Sequence, residues 1–243
     1  MKKAFDILYE DNHLLVCNKQ AGILSIPDRY DETRKNLSHM LTAKYGKVFP
    51  VHRIDRHTSG IIVYCRSEES HRKMSELFEK RKLTKKYIAI VHGVPYEEKG
   101  VIDKGIFMPS GKNKVSISDK GKPSVTNYRI VEAYRNYATV ELDLITGRRH
   151  QIRVHLAHIG NPVVADGTYG SESEFYLSKI KVKKFNLKKD NDERPLVSRQ
   201  MLHASHLSFQ HPITQEELSI DAPLSKDIKA LQNQLRKWNA STL

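Results

Sequence analysis

Four short apolar runs in the first part of the chain predict β-strands. Each run is five or six residues long and is bounded by charged or turn-forming residues. That length suits a strand better than a helix, which usually needs about 10 residues or more. The predicted strands are residues 5–9, 13–17, 60–64 and 86–91.

One helix is predicted between the third and the fourth of these strands. Ser67 is a suitable N-cap, and the two glutamates that follow it favour the N-terminal end of a helix. Met74, Leu77 and Phe78 then have the i, i+3, i+4 spacing of a single apolar face. Residues 20–50 show neither the alternation of a strand nor the spacing of an amphipathic helix, and we expect them to be irregular.

The second half of the chain continues this mixture of strands and helices. Apolar and polar residues alternate over 138–144, which is typical of a strand with one buried face. Residues 148–159 have helical spacing and are followed by Gly160, a residue suited to the end of a helix. The remaining predictions are strands at 201–209 and 217–220, a helix at 225–238, and a polar, basic insertion or loop at 171–200.

The order of these elements predicts the fold class. Strands outnumber helices and the two do not alternate regularly, so we predict an α+β fold with a largely antiparallel sheet rather than a doubly wound parallel sheet. The sequence contains neither a G-x-G-x-x-G nor a G-x-x-x-x-G-K-[ST] pattern, and a nucleotide cofactor therefore has no support.

Composition narrows the class of protein further. Of the 243 residues, 39% are hydrophobic, which is enough for a real core. No apolar run approaches the ~18–20 residues of a membrane span, and early acidic residues lead us to expect no secretory signal. The two cysteines, Cys17 and Cys65, are too few for a disulfide framework. A reducing, cytoplasmic location is the corresponding prediction.

The charge balance favours a polyanionic partner. Lys and Arg number 41 against 28 Asp and Glu, so the net charge is +13. Nucleic acid and an acidic membrane surface would both attract such a chain. The membrane surface is less favoured, because no strongly basic helix with a wide apolar face is predicted. Solvated lysines with no binding role are the alternative explanation.

One acidic residue, Asp55, stands among cationic residues just before a predicted strand. Nearby positive charges favour the ionised form of a carboxylate, which suits a nucleophile or an electrostatic stabiliser better than a general acid. A surface salt-bridge cluster is the alternative, and the local composition alone favours it. The surrounding cationic residues are His52, Arg53, Arg56 and His57.

A second candidate segment combines cations with an aromatic residue. Five cations lie within residues 80–86, and Tyr87 follows them at the start of a strand. Cations contact phosphates, an aromatic ring stacks on a base, and a tyrosine hydroxyl can serve as an acid or base. A lysine-rich helix end followed by a core tyrosine is the alternative, because the helix dipole favours such lysines.

A third candidate segment begins at the turn-forming Gly147. Arg149 and Arg153 are four residues apart in the predicted helix, so we expect them to share one face that could hold a phosphate or a carboxylate. His155 and His158 could be taken for a metal pair, but no third ligand stands at a recognised spacing. Structural or RNA-facing histidines are therefore the favoured interpretation.

Taken together, these segments resemble the RluA-type pseudouridine synthases, which isomerise uridine to pseudouridine in structured RNA. The family motif H-R-L-D-x-x-T-S-G is similar to residues 52–60, and K-x-Y-x-A-x-V-x-G is similar to residues 85–93. The long motif that begins T-G-R-T-H-Q-I-R is similar to residues 146–170, and L-H-A-x-x-L-x-F-x-H-P to residues 202–212. The opening Y-E-D and N-K motif is similar to residues 9–19.

The resemblance implies a pseudouridine synthase fold. We expect a large, mostly antiparallel, bent sheet flanked by helices and loops around a central catalytic cleft. We also expect a single catalytic domain over residues 1–243, with its core at about 7–212 and no S4 domain. The departures from the usual family residues are few and none is expected to be catalytic; besides Ile54 in the first motif they include Gln20, Arg149 and Ala165.

The resemblance also implies roles for individual residues. Asp55 is expected to be the nucleophile, and Arg153 the partner that keeps Asp55 ionised and oriented. Tyr87 is expected to pack against the target base and to provide the route by which the C5 proton leaves. We add the hypothesis that Arg53 braces the stack that the flipped base vacates. The residues expected to bind RNA are His52, Arg53, Arg56, Thr58, Lys85, Lys86, Arg148, Arg149 and His150.

The implied partner is structured RNA, either tRNA or rRNA. The resemblance implies no cofactor and no metal, and we expect a monomer. The basic runs at 80–86, 104–122 and 179–189 are expected to contact the RNA backbone.

Two other functions fit parts of the sequence. An RNA-cleaving enzyme would explain the His and Arg residues, but Asp55 would then lack a second carboxylate or a metal ligand. A catalytically silent RNA-binding protein of the same fold is the other alternative. The presence of Asp55, Tyr87 and Arg153 argues against it.

Overall fold

The computed structural model describes residues 3–31, 33–111, 114–181 and 193–241. The chain forms two compact units, and each is built from separate stretches of sequence. The first unit comprises the residues up to Tyr87 together with His203–Ser225. The second comprises Ile88–Leu202 and the residues from Lys226 onward. Residues 182–192 of the predicted basic insertion, which include most of the run at 179–189, lie outside the described residues.

The first unit is a sheet with two helices. Hydrophobic side chains from two of its strands and its first helix pack together, because the apolar positions of each element face the others. Its elements, numbered along the whole chain, are β1 (Phe5–Glu10), β2 (Leu14–Lys19), α1 (Leu37–Tyr45), β3 (Phe49–Pro50), β4 (Ser59–Cys65), α2 (Glu68–Glu79), the start of β5 (Leu83–His92), most of β11 (Leu202–Gln210) and β12 (Glu217–Asp221).

The strands of the first unit are ordered β1, β2, β4, β11. The short β3 pairs with β4, and β12 pairs with β11. All of these pairs are antiparallel except β4 and β11, which run parallel over Ser59–Gly60 and His203–Ala204. Gly60 has a φ of +110°, and a Cβ at this position would lie 2.1 Å from the carbonyl oxygen of Ala204. Only glycine therefore permits this strand contact, directly after the segment that carries Asp55.

The second unit contains a three-stranded antiparallel sheet, in the order β10, β9, β6, and a separate two-stranded hairpin. Ile106 and Val115 of the hairpin region pack against Val154 of a helix. The elements are the end of β5, β6 (Lys99–Asp103), β7 (Ile106–Phe107), β8 (Ser116–Ile117), β9 (Val125–Ala133), β10 (Tyr137–Leu144), α3 (Gln151–His158), a 3₁₀ turn (Leu177–Lys179) and α4 (Lys226–Trp238).

These elements confirm the predicted α+β class and the largely antiparallel pairing. The helix α2 begins after Ser67, whose side chain accepts a hydrogen bond from the backbone N–H of Ser70. The buried side chains of α4 include Ile228, Leu231 and Leu235, which the apolar spacing predicted. None of the helices in the described ranges combines the length and the apolar character that a membrane crossing requires.

The prediction that residues 20–50 are irregular is wrong for two segments, helix α1 and the two-residue strand β3. Helix α1 begins after Asn36, whose side chain accepts a hydrogen bond from the backbone N–H of His39, and it ends at Gly46. Leu37 and Leu41 are fully buried in the core of the first unit. This helix buries only a few apolar side chains, so its periodicity is weak and its two caps are the clearest signals in the sequence.

Candidate active site

Asp55 lies on a short turn between β3 and β4 in the first unit. The backbone N–H of Thr58 donates a hydrogen bond of 3.1 Å to the carbonyl oxygen of Asp55, which closes the turn. The side chains of Ile54 and Thr58 are buried, whereas Asp55 itself is half-buried. The carboxylate is thus presented from a turn whose flanks are fixed in the protein interior.

A second segment, residues 20–25, holds the backbone on both sides of Asp55. The hydroxyl of Ser25 donates to the carbonyl of Ile54 at 2.8 Å and accepts from the N–H of Ile54 at 3.2 Å. Gly22 donates its N–H to the carbonyl of Arg56 at 2.8 Å, and the Arg56 Nε donates to the carbonyl of Gly22 at 3.0 Å. This segment therefore fixes the residues before and after Asp55 with two hydrogen bonds each.

His52 faces the protein rather than solvent. Its Nε2 accepts a hydrogen bond of 3.0 Å from the N–H of Val63, which places the imidazole proton on Nδ1. The ring stacks on Phe78 with the centroids 4.7 Å apart. Burial, assisted by the positive charge of Lys85, lowers the pKa of His52 to about 3. His52 is therefore neutral and structural at physiological pH, and its contact with RNA stays a prediction.

The lowered pKa of His52 predicts acid sensitivity. Below about pH 6.5 the unfolded chain takes up a proton at His52 that the folded chain does not, down to about pH 3. We expect this residue to lower the free energy of unfolding by up to about 1.4 kcal/mol per pH unit across that window. Urea unfolding at several pH values should show a shallower slope for His52→Gln, whose amide oxygen can still accept from Val63. The matched control is His158→Gln, which removes an exposed imidazole, and an equal change in both variants would contradict the assignment.

The next residues of the motif also have structural partners. Thr58 and Ser59 are almost fully buried. The hydroxyl of Ser59 and the Nδ1 of the buried His203 are hydrogen-bonded at 2.9 Å, which links β4 to β11. Since Thr58 exposes little of its side chain, RNA contact by this residue also remains a prediction.

Tyr87 is buried close to Asp55. Only 9% of the residue is exposed. Burial raises the pKa of its hydroxyl, and the negative charge of Asp55 raises it further. The hydroxyl is therefore protonated at neutral pH, and the electrostatic effect places the acid and the phenol in the same part of the first unit.

The cationic residues predicted to bind RNA differ in exposure. Arg53 and Arg56 are exposed, while Lys85 and Lys86 are half-buried on β5. The Lys85 ammonium lies 5.8 Å from the centroid of the Phe78 ring. This arrangement leaves the two arginines of the motif most accessible to a ligand.

Arg153 lies in the second unit and forms a buried ion pair with Asp166. Its Nε and Nη2 donate to the two carboxylate oxygens of Asp166 at 2.6 and 2.8 Å, and the side chains are only 7% and 1% exposed. Burial alone would raise the pKa of Asp166, but the hydrogen bonds and the charge of Arg153 outweigh burial and lower it. Sequence reasoning missed Asp166 as a partner, and the predicted pairing of Arg153 with Asp55 stays a prediction.

Helix α3 begins three residues later than predicted, at Gln151. Arg149 therefore precedes the helix, and the prediction that Arg149 and Arg153 share a helix face is wrong. His150 has a φ of 52° and its ring nitrogen Nδ1 is hydrogen-bonded to the hydroxyl of Tyr169 at 3.0 Å. Arg148 is exposed, and Arg149 and His150 are half-buried in this turn.

Gln151 explains why the helix begins where it does. Its side-chain oxygen accepts hydrogen bonds from the Thr146 hydroxyl at 2.8 Å and from the backbone N–H of Arg148 at 3.0 Å. Its amide nitrogen donates to the carbonyl of Val125 and to Thr126, both at 3.0 Å. The conformation of this basic turn is thus fixed by one buried glutamine, which sequence reasoning did not single out.

The histidines considered as metal ligands have other partners. His155 is fully buried, and its two ring nitrogens lie 3.0 Å from the Thr126 hydroxyl and 3.1 Å from the Lys104 carbonyl. Burial lowers its pKa, so it stays neutral. His158 is exposed. Within the described ranges, no three His, Cys, Asp or Glu side chains are grouped as metal ligands would be.

The chain is similar to several known proteins over most of its length. It is 35% identical over 235 residues to a Bacillus subtilis (strain 168) protein named Uncharacterized RNA pseudouridine synthase YhcT, covering 93% of this chain and 70% of that protein. It is 33% identical over 220 residues to the Dual-specificity RNA pseudouridine synthase RluA of Escherichia coli (strain K12), covering 89% and 92% of the two chains.

Structural comparison agrees with these sequence matches. The solved structure of Human RNA Pseudouridylate Synthase Domain Containing 4 matches with a TM-score of 0.70 and 26% identity, covering 95% of this chain and 92% of that chain. The family model described as RNA pseudouridylate synthase matches residues 13–158, which include Asp55, Tyr87 and Arg153. These matches confirm the predicted fold, and the chain belongs to the RNA pseudouridylate synthase family.

Proposed function

We propose that Asp55 is the nucleophile with which this RNA pseudouridine synthase converts uridine to pseudouridine. The observation that carries the proposal is the turn of the H-R-I-D-R-H-T-S-G motif, which holds one carboxylate between two fixed neighbours and close to a protonated tyrosine. A nucleophile needs this kind of support, because a small displacement of the attacking atom lowers the rate strongly. The turn supplies it through hydrogen bonds to the backbone of the residues on either side of Asp55.

The reaction balances within the RNA itself. The C1′–N1 bond breaks, the uracil turns, and a C1′–C5 bond forms. C5 then loses its proton and N1 gains one, so no oxidant or second substrate is consumed. Asp55 attacks the ribose or the base to allow the uracil to detach, and its carboxylate is regenerated when the new bond forms.

Tyr87 is proposed to pack against the target base and to move the C5 proton. Its raised pKa disfavours a phenolate. The hydroxyl can therefore take up the C5 proton only while it gives its own proton to another acceptor. Asp55, whose charge acts on this hydroxyl, is such an acceptor once the carbon–carbon bond has formed. Asp55 then releases this proton to solvent and returns to its carboxylate form, while N1 gains a proton from solvent.

The target uridine must leave its stack to reach Asp55, because a base inside a folded RNA hides the reacting atoms. Arg53 is exposed two residues before Asp55, and we propose that its side chain braces the vacated position. Arg56, on the other side of Asp55, is also exposed and suits contact with a phosphate.

The proposed substrates are tRNA, rRNA or both, and a direct comparison tests them. Pseudouridine is mapped at nucleotide resolution in total tRNA and rRNA from cells with and without this protein. We expect one or a few sites to be lost in its absence and restored by the active chain. RNA shortened by the purified protein, with no pseudouridine gained, would instead support the RNA-cleaving alternative.

The basic end of α2 is proposed to contact the RNA backbone. Lys73, Lys80 and Lys82 line a groove of about 270 Å³ together with Glu76, Leu77, Gln210, Pro212 and Gln215. Lys82 is exposed, directly precedes β5 and lies five residues before Tyr87. At a rise of about 3.3 Å per residue it lies roughly 17 Å from the tyrosine, a distance that an RNA strand leaving the site can span.

This contact predicts a measurable salt dependence. Lys82→Gln should weaken RNA binding and reduce the slope of log Kd against log salt by about 0.7–0.9, the value for one phosphate contact. The control, Lys35→Gln, removes an exposed lysine from the segment before α1. Fluorescence anisotropy over a range of salt concentrations measures both variants, and equal slopes would exclude a phosphate contact at Lys82.

A further inference from the structure

We propose that Lys19 is a positioning residue for the reaction, whose buried ammonium fixes the turn that carries Asp55. The proposal rests on the nucleophilic role proposed for Asp55. It concerns a residue that belongs to the opening motif of the chain, far in sequence from the acid.

Lys19 is the last residue of β2 and is fully buried, with 0% of the residue exposed. Its ammonium donates hydrogen bonds to the carbonyl oxygens of Gln20 at 3.0 Å, Ile23 at 2.8 Å and Arg56 at 3.2 Å. An ammonium has three protons, and these three carbonyls can use all of them. One side chain thus joins the segment that follows β2 to the turn of Asp55.

Burying a lysine is costly, and fold stability alone does not explain it. A charged group taken out of water loses several kcal/mol of hydration free energy, which hydrogen bonds only partly offset. An apolar side chain of similar size would fill the same space at a lower cost. The ammonium does what an apolar side chain cannot, because it holds three backbone carbonyls at fixed points around one centre.

The backbone of Lys19 acts on the same segment. In the pairing of β2 with β4, Lys19 stands opposite Gly60, the glycine that follows the Asp55 turn. Its side chain reaches Arg56 at the other end of that segment. Lys19 therefore fixes the path of the chain at both residue 56 and residue 60.

The carbonyl oxygen of Arg56 accepts hydrogen bonds from two of the groups that hold this turn. It accepts one hydrogen bond from the Lys19 ammonium and another from the N–H of Gly22. Arg56 directly follows Asp55, so a rotation of its peptide would move the carboxylate. A misplacement of about 1 Å at a reacting group can cost about 10²-fold in rate, whereas RNA binding through distant phosphates would be unaffected.

The test separates turnover from binding. Lys19→Met removes the charge and every donor, and Lys19→Gln restores two donors on a neutral side chain that is one atom shorter than lysine. With enzyme in excess over RNA, we expect the single-turnover rate of pseudouridine formation to fall about 10²-fold in Lys19→Met and less in Lys19→Gln. The Kd for the same RNA should change less than about twofold in both, since neither variant alters an exposed cation.

A second variant, destabilised as much as Lys19→Met, tests whether the loss of turnover is only a consequence of lower stability. Leu41→Ala empties part of the core at α1 and should lower the melting temperature without slowing turnover at a temperature well below unfolding. Equal turnover for Lys19→Met and the unchanged chain, or a loss matched by Leu41→Ala, would overturn the proposal. If Lys19→Met does not fold, the single-turnover rate and the RNA Kd of Lys19→Gln test the proposal instead.

Asp55→Asn is measured beside these variants as a reference. If Asp55→Asn is inactive while both Lys19 variants turn over normally, the positioning role of Lys19 is wrong and the proposed nucleophile stands. If Asp55→Asn is active, the proposed nucleophile is wrong whatever the Lys19 variants do. The two failures are therefore distinguishable in one experiment.

Discussion

Replacing Asp55 by asparagine should abolish pseudouridine formation and leave RNA binding nearly unchanged. Asparagine has almost the same shape, so the hydrogen bonds that hold Ile54 and Arg56 should persist. Its amide has no negative charge and is a poor nucleophile. We expect the single-turnover rate to fall at least about 10⁴-fold, which corresponds to roughly 5 kcal/mol of transition-state stabilisation.

A control substitution at another aspartate and a second measurement, the pKa of Tyr87, make this test specific for Asp55. Asp221→Asn changes an exposed aspartate of the first unit, on β12, and should keep full activity. Removing the charge of Asp55 should also lower the pKa of Tyr87, although burial will keep it above its ordinary value. Ultraviolet titration of the tyrosines reports this change. Activity within tenfold of the unchanged chain would rule out Asp55 as the nucleophile.

Breaking the ion pair between Arg153 and Asp166 should produce the largest loss of stability. Both side chains are buried and joined by two hydrogen bonds. Asp166→Ala would leave the guanidinium buried without this carboxylate, and such losses cost about 3–5 kcal/mol. Because the pKa of Asp166 is lowered, its contribution is complete above about pH 4 and is lost as the pH falls through the lowered value. Urea unfolding at pH 7 measures the loss directly.

A surface pair in the same unit supplies the comparison. Arg236 and Glu132 form a similar two-pronged contact, at 2.8 and 2.7 Å, but their side chains are 51% and 31% exposed. Glu132→Gln should cost less than about 1 kcal/mol. Replacing both buried partners, as Arg153→Met with Asp166→Leu, should recover part of the stability but no activity if Arg153 also serves the reaction. Equal losses for Asp166→Ala and Glu132→Gln would show that burial of the pair is unimportant.

The sequence predicted the elements whose signals are local. Helix α2 carries its cap at Ser67 and its apolar face within one segment, and α4 has a strong apolar spacing. Helix α1 was missed because few of its side chains are buried. The start of α3 was misplaced because Gln151 bonds to the turn before it and to β9, an interaction that no periodicity reports.

The reactive carboxylate of the candidate site could be predicted from the sequence, but the residues whose hydrogen bonds hold its turn could not. Asp55 stands out among cations, and the family resemblance adds Tyr87 and Arg153. The partners of these residues lie far away in sequence. The Lys19 ammonium meets a carbonyl 37 residues later, and Ser25 holds a residue 29 positions away. A single sequence does not show which distant residues will be in contact. These hydrogen bonds can therefore be identified only in the folded structure.

The interleaving of the two units has a consequence for synthesis on the ribosome. The turn of Asp55 and strand β4 are made early, but His203, the β11 residue that pairs with Ser59, lies 144 residues later in the chain. At about 5–20 residues per second, the ribosome needs roughly 7–30 s to supply it. During that interval the Ser59–Gly60 end of the apolar β4 lacks its β11 partner, although β2 and β3 have already been made. The nascent chain therefore carries its reactive acid long before the last strand that supports it.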